Sequence, residues 1–298
     1  MDTAAIIVLD GIGFASWLFL ISAGITFVFG VLRILNVAHG SIFALGAYMG
    51  AWLAGWFLSG QYPAWLSFPI LIVAAVFVAV TVGPFIERGF LKRIYQEEEV
   101  IHLLTTFALF LILEDGIKLV WGIEPRFIDK PFSVMGQVRL VGISYAGYPF
   151  LLTGIAVLCA ILLWLVINRT LFGRQVTSVI GDREISSAMG INVPRIDTFA
   201  FITGTFLAGL GGAFTAPMIS VEPGMGIEVI VLAFAVVGIG GLGSVGGAAI
   251  GCLLVGIARA TAVHLYPELE LFVIYALMVF VLILRPQGLF GGIEVRRI

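Results

Sequence analysis

The chain has 298 residues, of which 60% are hydrophobic and only 11% are charged, and its formal net charge at neutral pH is -2. A soluble domain is typically about half apolar and about a quarter charged, so this composition excludes an ordinary water-soluble protein. The small net charge by itself says nothing about partners. The apolar residues form long continuous runs, not the weakly alternating segments of about ten residues that a closed β-barrel requires, and this favours membrane-spanning helices.

The apolar runs predict eight or nine crossings, because a helix needs about 20 apolar residues to span a bilayer. In chain order the candidate spans are residues 5–32, 41–58, 65–86, 100–121, 149–167, 196–218, 227–239, 245–263 and 269–284. The seventh is short, and the Gly-rich stretch after it is a candidate for a broken or re-entrant segment. The predicted fold is therefore an all-α, polytopic helical bundle, forming one integral membrane domain over residues 1–298.

Basic residues are distributed unequally between the two sides of this bundle. With nine spans, one side carries Arg33, Arg88, Lys92, Arg93, Arg169, Arg174, Arg183, Arg195, Arg285, Arg296 and Arg297. The opposite loops carry only Arg126, Lys130 and Arg139. Because Lys and Arg accumulate in cytoplasmic loops, we expect the N-terminus outside and the C-terminus in the cytoplasm, in a bacterial inner (plasma) membrane.

Residues 33–40 interrupt the first apolar stretch with polar groups and glycine. One interpretation is a broken helix, in which Asn36, His39 and Gly40 face a pathway or hold the break in place. The other is an ordinary cytoplasmic turn, which the orientation also allows.

The fourth candidate span contains three charged residues near its outer end. Glu114 and Lys118 are four residues apart, so a helix would place them on one face as an ion pair. The hydroxyls of Thr105 and Thr106 lie deeper and could bind a zwitterionic substrate, although such hydroxyls in membrane helices mostly bond backbone carbonyls. In the eighth span, Arg259 requires a partner that the sequence does not identify.

The Gly-rich stretch includes Gly240, Gly241, Gly243 and Ser244. Small residues at such spacing allow helices to approach closely or form a tight turn. The functional alternative is exposed backbone near a substrate route, as in discontinuous transporter helices.

The cytoplasmic loop 168–195 is the most informative soluble segment. Its residues 182–189 are compatible with a helix that has Asp182 and Glu184 at its start and Gly190 just past its end, which is the expected capping pattern. A short exposed helix buries little of itself, so it is better suited to docking than to stabilising the fold.

The spacing from Glu184 to Gly190 resembles the cytoplasmic coupling loop of ABC importer permeases. Segments 24–41, 173–192, 240–248 and 285–291, the last reading RPQGLFG, resemble the branched-chain amino acid permease family in particular. The four motifs occur in the family's order, and the resemblance covers nearly the whole chain.

This resemblance implies the first of two homologous permeases of a high-affinity importer for leucine, isoleucine and valine. It implies as partners a second permease, giving a heterodimer, two cytoplasmic ATPase subunits that bind ATP and Mg, and an external solute-binding protein. The residues that it implies for coupling to the ATPase are Arg174, Asp182, Arg183, Glu184, Met189 and Gly190.

The sequence itself contains no G-x-x-x-x-G-K-[ST] motif and no Cys/His spacing typical of zinc, so we expect no cofactor, metal or catalytic site in this chain. Urea, short amides and other amino acids remain alternative cargoes on the same architecture. A secondary transporter powered by ions would leave loop 168–195 unexplained, and an intramembrane enzyme would require a catalytic constellation that the spans lack.

Overall fold

The computed structural model describes residues 2–140 and 142–291. The helices are α1 Asp2–Leu32, α2 His39–Ser59, α3 Ser67–Ile86, α4 Lys92–Ile94, α5 Glu99–Trp121, α6 Lys130–Val134, α7 Tyr148–Arg169, α8 Leu171–Gly181, α9 Arg183–Ala188, α10 Val193–Thr215, α11 Met225–Gly240, α12 Val245–Leu265 and α13 Glu270–Leu284. Strands β1 Gln137–Leu140 and β2 Ile143–Ala146 pair antiparallel. Short helical turns precede α3, follow it, and precede α13.

Eight helices of the described chain are long and apolar enough to cross a membrane, and α11 is a shorter apolar helix. The predicted polytopic all-α bundle is therefore confirmed. The predicted spans match α1, α2, α3, α5, α7, α10, α11, α12 and α13 in order. The β hairpin between α6 and α7 was not predicted, because its strands have only four residues each and the alternation of polar and apolar residues in β1 is correspondingly short.

The two ends of the bundle differ in what they carry. We call the end with residues 168–195 the loop end, and the end with the β hairpin the hairpin end. Hydrogen bonds from Arg183 to the Val31 carbonyl and from Thr198 to Glu87 join the end of α1, the end of α3 and the start of α10 at the loop end. The predicted basic loops that the structure describes lie at this end, whereas Arg296 and Arg297 lie outside the described residues.

Helix α10 lies at the centre of the bundle, packed against α1, α2 and α3. Glycines allow this close packing. A Cβ on Gly212 would lie 1.9 Å from the carbonyl oxygen of Phe43, and a Cβ on Gly46 would lie 2.3 Å from that of Gly209. Helices α5, α7 and α13 lie at the periphery and expose apolar side chains, as lipid-facing helices do.

Two helices begin inside the bundle instead of at its surface. His39, the first residue of α2, lies beside Gly24 and Gly204, and Gly204 is eleven residues into α10. At a rise of about 1.5 Å per residue, this is about 16 Å from the start of α10. Helix α11 begins inside the bundle from the opposite direction, and its Gly226 carbonyl lies 2.3 Å from the position of a Cβ on Gly40.

Candidate functional site: a coupling segment and a buried junction of helix starts

The predicted coupling loop, residues 168–195, folds into two consecutive short helices, α8 and α9, and after that prediction we call residues 170–192 the coupling segment. Thr170 caps α8 by accepting a hydrogen bond from the Gly173 amide, 3.0 Å away. The Asp182 carboxylate caps α9 by accepting from the amides of Glu184 and Ile185, each at 3.0 Å. The predicted helix over 182–189 thus corresponds to α9, with Asp182 as its cap.

Helix α8 was not predicted, although its sequence contains the signal. Gly173, Val176 and Val179 are buried at a spacing of three residues, while the residues between them are mostly exposed. This is the pattern of an amphipathic helix lying on a surface. This pattern was not recognised because the Arg, Gln, Thr and Ser residues between the buried positions make the segment polar overall.

Gly190 ends the coupling helix α9 in the way that its sequence suggested. Its φ is +86°, the left-handed region that favours glycine. Its amide bonds the Ser187 carbonyl at 3.0 Å, and the Ile191 amide bonds the Ser186 carbonyl at 3.0 Å. This pair of bonds is a Schellman motif, which satisfies the last carbonyls of α9 and turns the chain toward α10.

The side chain of Arg183 joins the coupling segment to the membrane helices. Its guanidinium donates to the Val31 carbonyl of α1 at 2.9 Å and to the Asp197 carboxylate of α10 at 2.5 Å. The Asp197 side chain is only 2% exposed. The Arg183 side chain is 38% exposed but is bonded to both helices, so any part that it has in coupling would include transmitting force to α1 and α10.

A second polar contact fixes the neighbouring link to the same part of α10. Glu87, at the end of α3, accepts hydrogen bonds from Thr198 at 2.7 Å and from the Tyr95 hydroxyl at 2.9 Å. Burial, and then the negative charge of Glu87, raise the pKa of Tyr95, so its hydroxyl stays protonated and donates. The start of α10 is therefore tied both to the coupling segment and to the link after α3.

The outer face of the coupling segment exposes apolar side chains. Ile185 is 60% exposed and Met189 is 79% exposed, and the two lie four residues apart on one face. Arg174 and Glu184 are also exposed. Beside this face, Val31, Arg33 and residues 179–184 line an open cavity of about 410 Å³. Exposed apolar groups at the end of a bundle, flanked by charges, are typical of a protein-docking surface.

Inside the bundle, the carboxylate of Glu114 lies where the two interrupted helices begin. Its Oε2 accepts a hydrogen bond from the Gly224 amide at 3.0 Å, just before α11. Its Oε1 accepts from the Ser41 hydroxyl at 3.4 Å, in the first turn of α2. Helix N-termini carry partial positive charge, so a buried carboxylate at two of them is favourably placed. We call Glu114, Ser41 and Gly224 the helix-start junction.

The predicted ion pair of Glu114 with Lys118 is wrong. Lys118 pairs instead with Asp115, 2.9 Å away and exposed. Glu114 is buried, only 4% exposed, and points to α2 and α11. Burial offers it an amide and a hydroxyl as partners, whereas the ammonium of Lys118 stays at the surface, so the spacing along α5 does not decide the pairing.

Asn36 and His39 of segment 33–40 are buried in the bundle, although Arg33 is exposed, so the segment is not an ordinary solvent-exposed turn. Asn36 is 1% exposed and His39 is fully buried. Their side-chain nitrogen and oxygen atoms have no hydrogen-bond partner by geometry within the described chain, apart from an approach of His39 to the backbone of Ile21. The Thr106 hydroxyl bonds the Leu35 carbonyl at 3.2 Å and the Leu103 carbonyl at 3.1 Å, and so holds the break in place.

The structure also shows the surroundings of Thr105 and Arg259, which the sequence could not predict. Thr105 is half-buried on α5 and is not part of the helix-start junction. Arg259 has its partner in Glu270, at the start of α13, and its guanidinium lies over the ring of Phe14, 4.1 Å from the centroid. Within the described residues, no group of three or more His, Cys, Asp or Glu side chains is arranged to hold a metal ion.

Most of the chain matches a known protein family. The family model for the permease component of the branched-chain amino acid transport system matches residues 7–282. The chain belongs to this family. It is similar to the high-affinity branched-chain amino acid transport system permease protein LivH of Escherichia coli (strain K12), with 27% identity over 97% of this chain and 96% of the relative.

A second relative of this permease component is the high-affinity branched-chain amino acid transport system permease protein BraD of Pseudomonas aeruginosa. It is 26% identical over 97% of this chain and 96% of its own length. A chain in a solved structure, PsaBC from Streptococcus pneumoniae in complex with Fab, aligns with a TM-score of 0.48 and 11% identity over 93% of this chain and 91% of its own. That likeness is too small to support a conclusion.

The Gly-rich motif of this permease forms a tight turn at the loop end, between α11 and α12. Gly241 and Gly243 have φ of +101° and +81°, and Ser244 caps α12 by accepting from the Gly247 amide at 3.0 Å. The C-terminal motif covers this turn through hydrogen bonds from Leu289 and Phe290 to the carbonyls of α11's last two residues, the second being Gly240. The departure from a full-length span lies at the opposite end of α11, ahead of residue 225.

One charged residue of this permease was missed by the sequence reasoning. Glu228 lies in the first turn of α11 and is exposed. In the sequence it sits at the start of an apolar run, where a single acid appears to be an interfacial end residue. The available sequence signal was its helical spacing from Ile227 and Val231. In the structure these two residues are also exposed, and with Glu228 they form an open helix face.

Proposed function

We propose that this chain is the membrane permease subunit of an ATP-binding cassette importer that carries branched-chain amino acids into the cytoplasm. Family membership supports the cargo, since both relatives named above carry branched-chain amino acid transport in their names. The single observation that supports coupling to an ATPase is the geometry of α9. It exposes Ile185 and Met189 outward while Arg183 ties its base to α1 and α10.

The proposed partners are a homologous second permease forming a heterodimer, two cytoplasmic ATPase subunits and an external solute-binding protein. ATP and Mg would bind on the ATPase subunits, because this sequence has no phosphate-binding lysine loop. This chain would then catalyse no reaction itself. We place it in a bacterial inner membrane, with the loop end in the cytoplasm and the N-terminus outside.

The proposed coupling begins when ATP closes the two ATPase subunits under the coupling segment. A push on Ile185 and Met189 would be transmitted by the Arg183 contacts to the start of α10, which packs on α1, α2 and α3. The helix-start junction lies on the same set of helices, because Ser41 belongs to α2. Movement of α10 would therefore open or close the route near Glu114 and the breaks before α2 and α11.

The proposed function is tested by uptake into proteoliposomes that contain the whole complex. The solute-binding protein is supplied on one side and ATP on the side of the ATPase subunits, with a non-hydrolysable ATP analogue as the control. We expect labelled leucine to accumulate with ATP and not with the analogue. Uptake of urea or a short amide instead of leucine would change the cargo, and uptake driven by an ion gradient without ATP would overturn the proposal.

A further inference from the structure

We propose that the open face of α11 lines a water-filled path through the bilayer, and that the Glu228 carboxylate on this face attracts the ammonium group of the amino acid in transit. The wet face is inferred from this chain's geometry alone. The identity of the cationic group rests on the proposed function.

Glu228 lies near the middle of the membrane. Helix α11 ends with Gly240 at the loop end, twelve residues after Glu228, which is about 18 Å along the helix. At its other end, α11 starts beside Glu114, seven residues inside the end of α5 at Trp121, or about 10 Å from that end. The hydrocarbon core of a bilayer is about 30 Å thick, so Glu228 is far from both interfaces.

The carboxylate of Glu228 has no ion pair or hydrogen bond within the part of the chain that the structure describes. It is exposed, together with Ile227 and Val231 on the same face of α11. An acidic residue at the centre of a lipid-facing helix is costly to insert, and such residues face water or protein instead. The α11 face is therefore poorly suited to lipid.

A second observation is that the backbone leading to α11 is irregular and partly exposed. Residues 218–224, just before α11, are irregular, and the Gly224 amide meets Glu114 at membrane depth. The segment leading to it pairs by a β-bridge with Arg126, from the loop after α5, through Val221. Irregular backbone at this depth is tolerated only where protein or a water-filled cavity satisfies it. Because part of this segment is exposed, the proposed path would run from residues 218–224 along α11.

The charges around Glu228 leave its carboxylate free to act on a passing cation. Lys118, on α5, is paired with Asp115. Glu114 is itself a carboxyl group, buried and bonded at the helix-start junction, so it brings no positive charge near Glu228. The apolar side chains of Ile227 and Val231 flank Glu228 and are suited to an aliphatic side chain beside an ammonium group.

Accessibility to water is tested by Glu228→Cys in the reconstituted complex, with Cys159→Ala and Cys252→Ala as background and a membrane-impermeant maleimide as probe. The matched control is Val157→Cys, exposed on α7 and also twelve residues from the loop end of its helix, at Arg169. Only a thiolate reacts, and a rise of one unit in the pKa of the thiol, caused by desolvation, lowers the thiolate fraction about tenfold. We expect Glu228→Cys to react at least about tenfold faster than the control. Equal rates would show that this face of α11 is not accessible to water and would overturn the proposal.

Charge preference is tested with Val231→Cys, on the same face and three residues from Glu228. An ammonium-bearing thiosulfonate is compared with a sulfonate-bearing one, with Glu228 intact and with Glu228→Gln. A unit charge about 6 Å away in water changes the local concentration of a singly charged reagent about threefold, so the cation-to-anion rate ratio should fall about tenfold in Glu228→Gln. An unchanged ratio would overturn the electrostatic role.

The role in transport is tested by leucine uptake at saturating binding protein. We expect Glu228→Gln to lower uptake about threefold while Glu124→Gln, an exposed acid in the hairpin-end loop, leaves it unchanged. Unchanged uptake in Glu228→Gln would overturn the ammonium contact. If leucine is not transported at all, the proposed function fails, whereas the two labelling results remain valid because neither uses substrate.

Discussion

The guanidinium of Arg183 lies 2.5 Å from the carboxylate of Asp197, and this pair links the base of the coupling helix α9 to the first turn of α10. The second contact of Arg183, to the Val31 carbonyl at 2.9 Å, links it to the end of α1. Both α1 and α10 belong to the centre of the bundle. The coupling helix is therefore fixed to the helices that would have to move.

Replacing Arg183 by Gln should lower both stability and coupling. Asp197 would lose its ionic partner in a site where its side chain is only 2% exposed. Losing one partner of a buried ion pair costs about 3–5 kcal/mol, and we expect about 3 because Arg183 is partly exposed. The measurements are thermal unfolding in detergent and stimulated ATPase activity.

The matched control for this change is Arg174→Gln, an exposed arginine on α8. It should alter stability by less than about 0.5 kcal/mol. The double variant Arg183→Gln/Asp197→Asn should regain most of the stability, since no unpaired charge remains, but not the coupling. Equal stability losses in Arg183→Gln and Arg174→Gln would contradict the role assigned to this ion pair.

Replacing Ile185 or Met189 by Asp should weaken docking of the ATPase subunits. Both side chains are exposed on one face of α9, so the fold should persist. Truncating or charging a central interface residue commonly costs about 2 kcal/mol, or roughly thirtyfold in Kd. Copurification of the ATPase subunits measures the effect. Ser187→Asp adds the same charge on the opposite face of α9 and should leave assembly intact. If Ser187→Asp weakened assembly more than the changes at Ile185 or Met189, the docking face would be assigned wrongly.

Replacing Glu114 by Ala should destabilise the helix-start junction by about 2 kcal/mol. The Gly224 amide would lose its buried acceptor, and leaving such a group unpaired costs about 1–3 kcal/mol. The Ser41 hydroxyl would keep the Phe110 carbonyl, 3.0 Å away, as its acceptor. The neighbouring Asp115→Ala removes an exposed pair worth about 0–1 kcal/mol, so it serves as the control. The midpoint temperature of thermal unfolding should be well below that of Asp115→Ala for Glu114→Ala. Equal midpoint temperatures would contradict the stabilising role of Glu114 at the junction.

Replacing Gly212 by Ala should disrupt the packing of α2 on α10. The new Cβ would lie 1.9 Å from the Phe43 carbonyl oxygen, so the helices must separate. Overpacking of this kind costs typically about 1–3 kcal/mol, and contact with backbone favours the upper end. Gly154→Ala, on α7 with no atom within 4 Å of the new Cβ, is the control and should unfold at the wild-type temperature. A matching loss in Gly154→Ala would mean that the close approach is not the cause.

The sequence predicted features that depend on neighbouring residues. The start of α9 at Asp182, its end at Gly190 and the short span of α11 all follow from local capping signals and the length of apolar runs. The partners of Glu114 could not be predicted, because Ser41 and Gly224 are 73 and 110 residues away along the chain.

The sequence also could not predict the directions in which these side chains point. The spacing of four residues suggested that Lys118 pairs with Glu114, yet the fold turns Glu114 inward and leaves Asp115 beside Lys118. Burial of Asn36 and His39 likewise depends on where α2 begins inside the bundle, and no local pattern marks that depth. Glu228 was overlooked because one acid at the end of an apolar run is common.

In the proposed function, the coupling segment transmits closure of the ATPase subunits to the membrane helices. The most direct measurement is the ATPase rate of the reconstituted complex, with and without leucine-loaded binding protein, for wild type, Gly190→Trp and Gly181→Trp. Both glycines have free space at the Cβ position, but only Gly190 has a positive φ, where a side chain costs about 1–3 kcal/mol. We predict that leucine-loaded binding protein stimulates wild type and Gly181→Trp, and that Gly190→Trp assembles normally but is not stimulated. Full stimulation of an assembled Gly190→Trp complex, or the absence of any copurifying ATPase, would contradict the account.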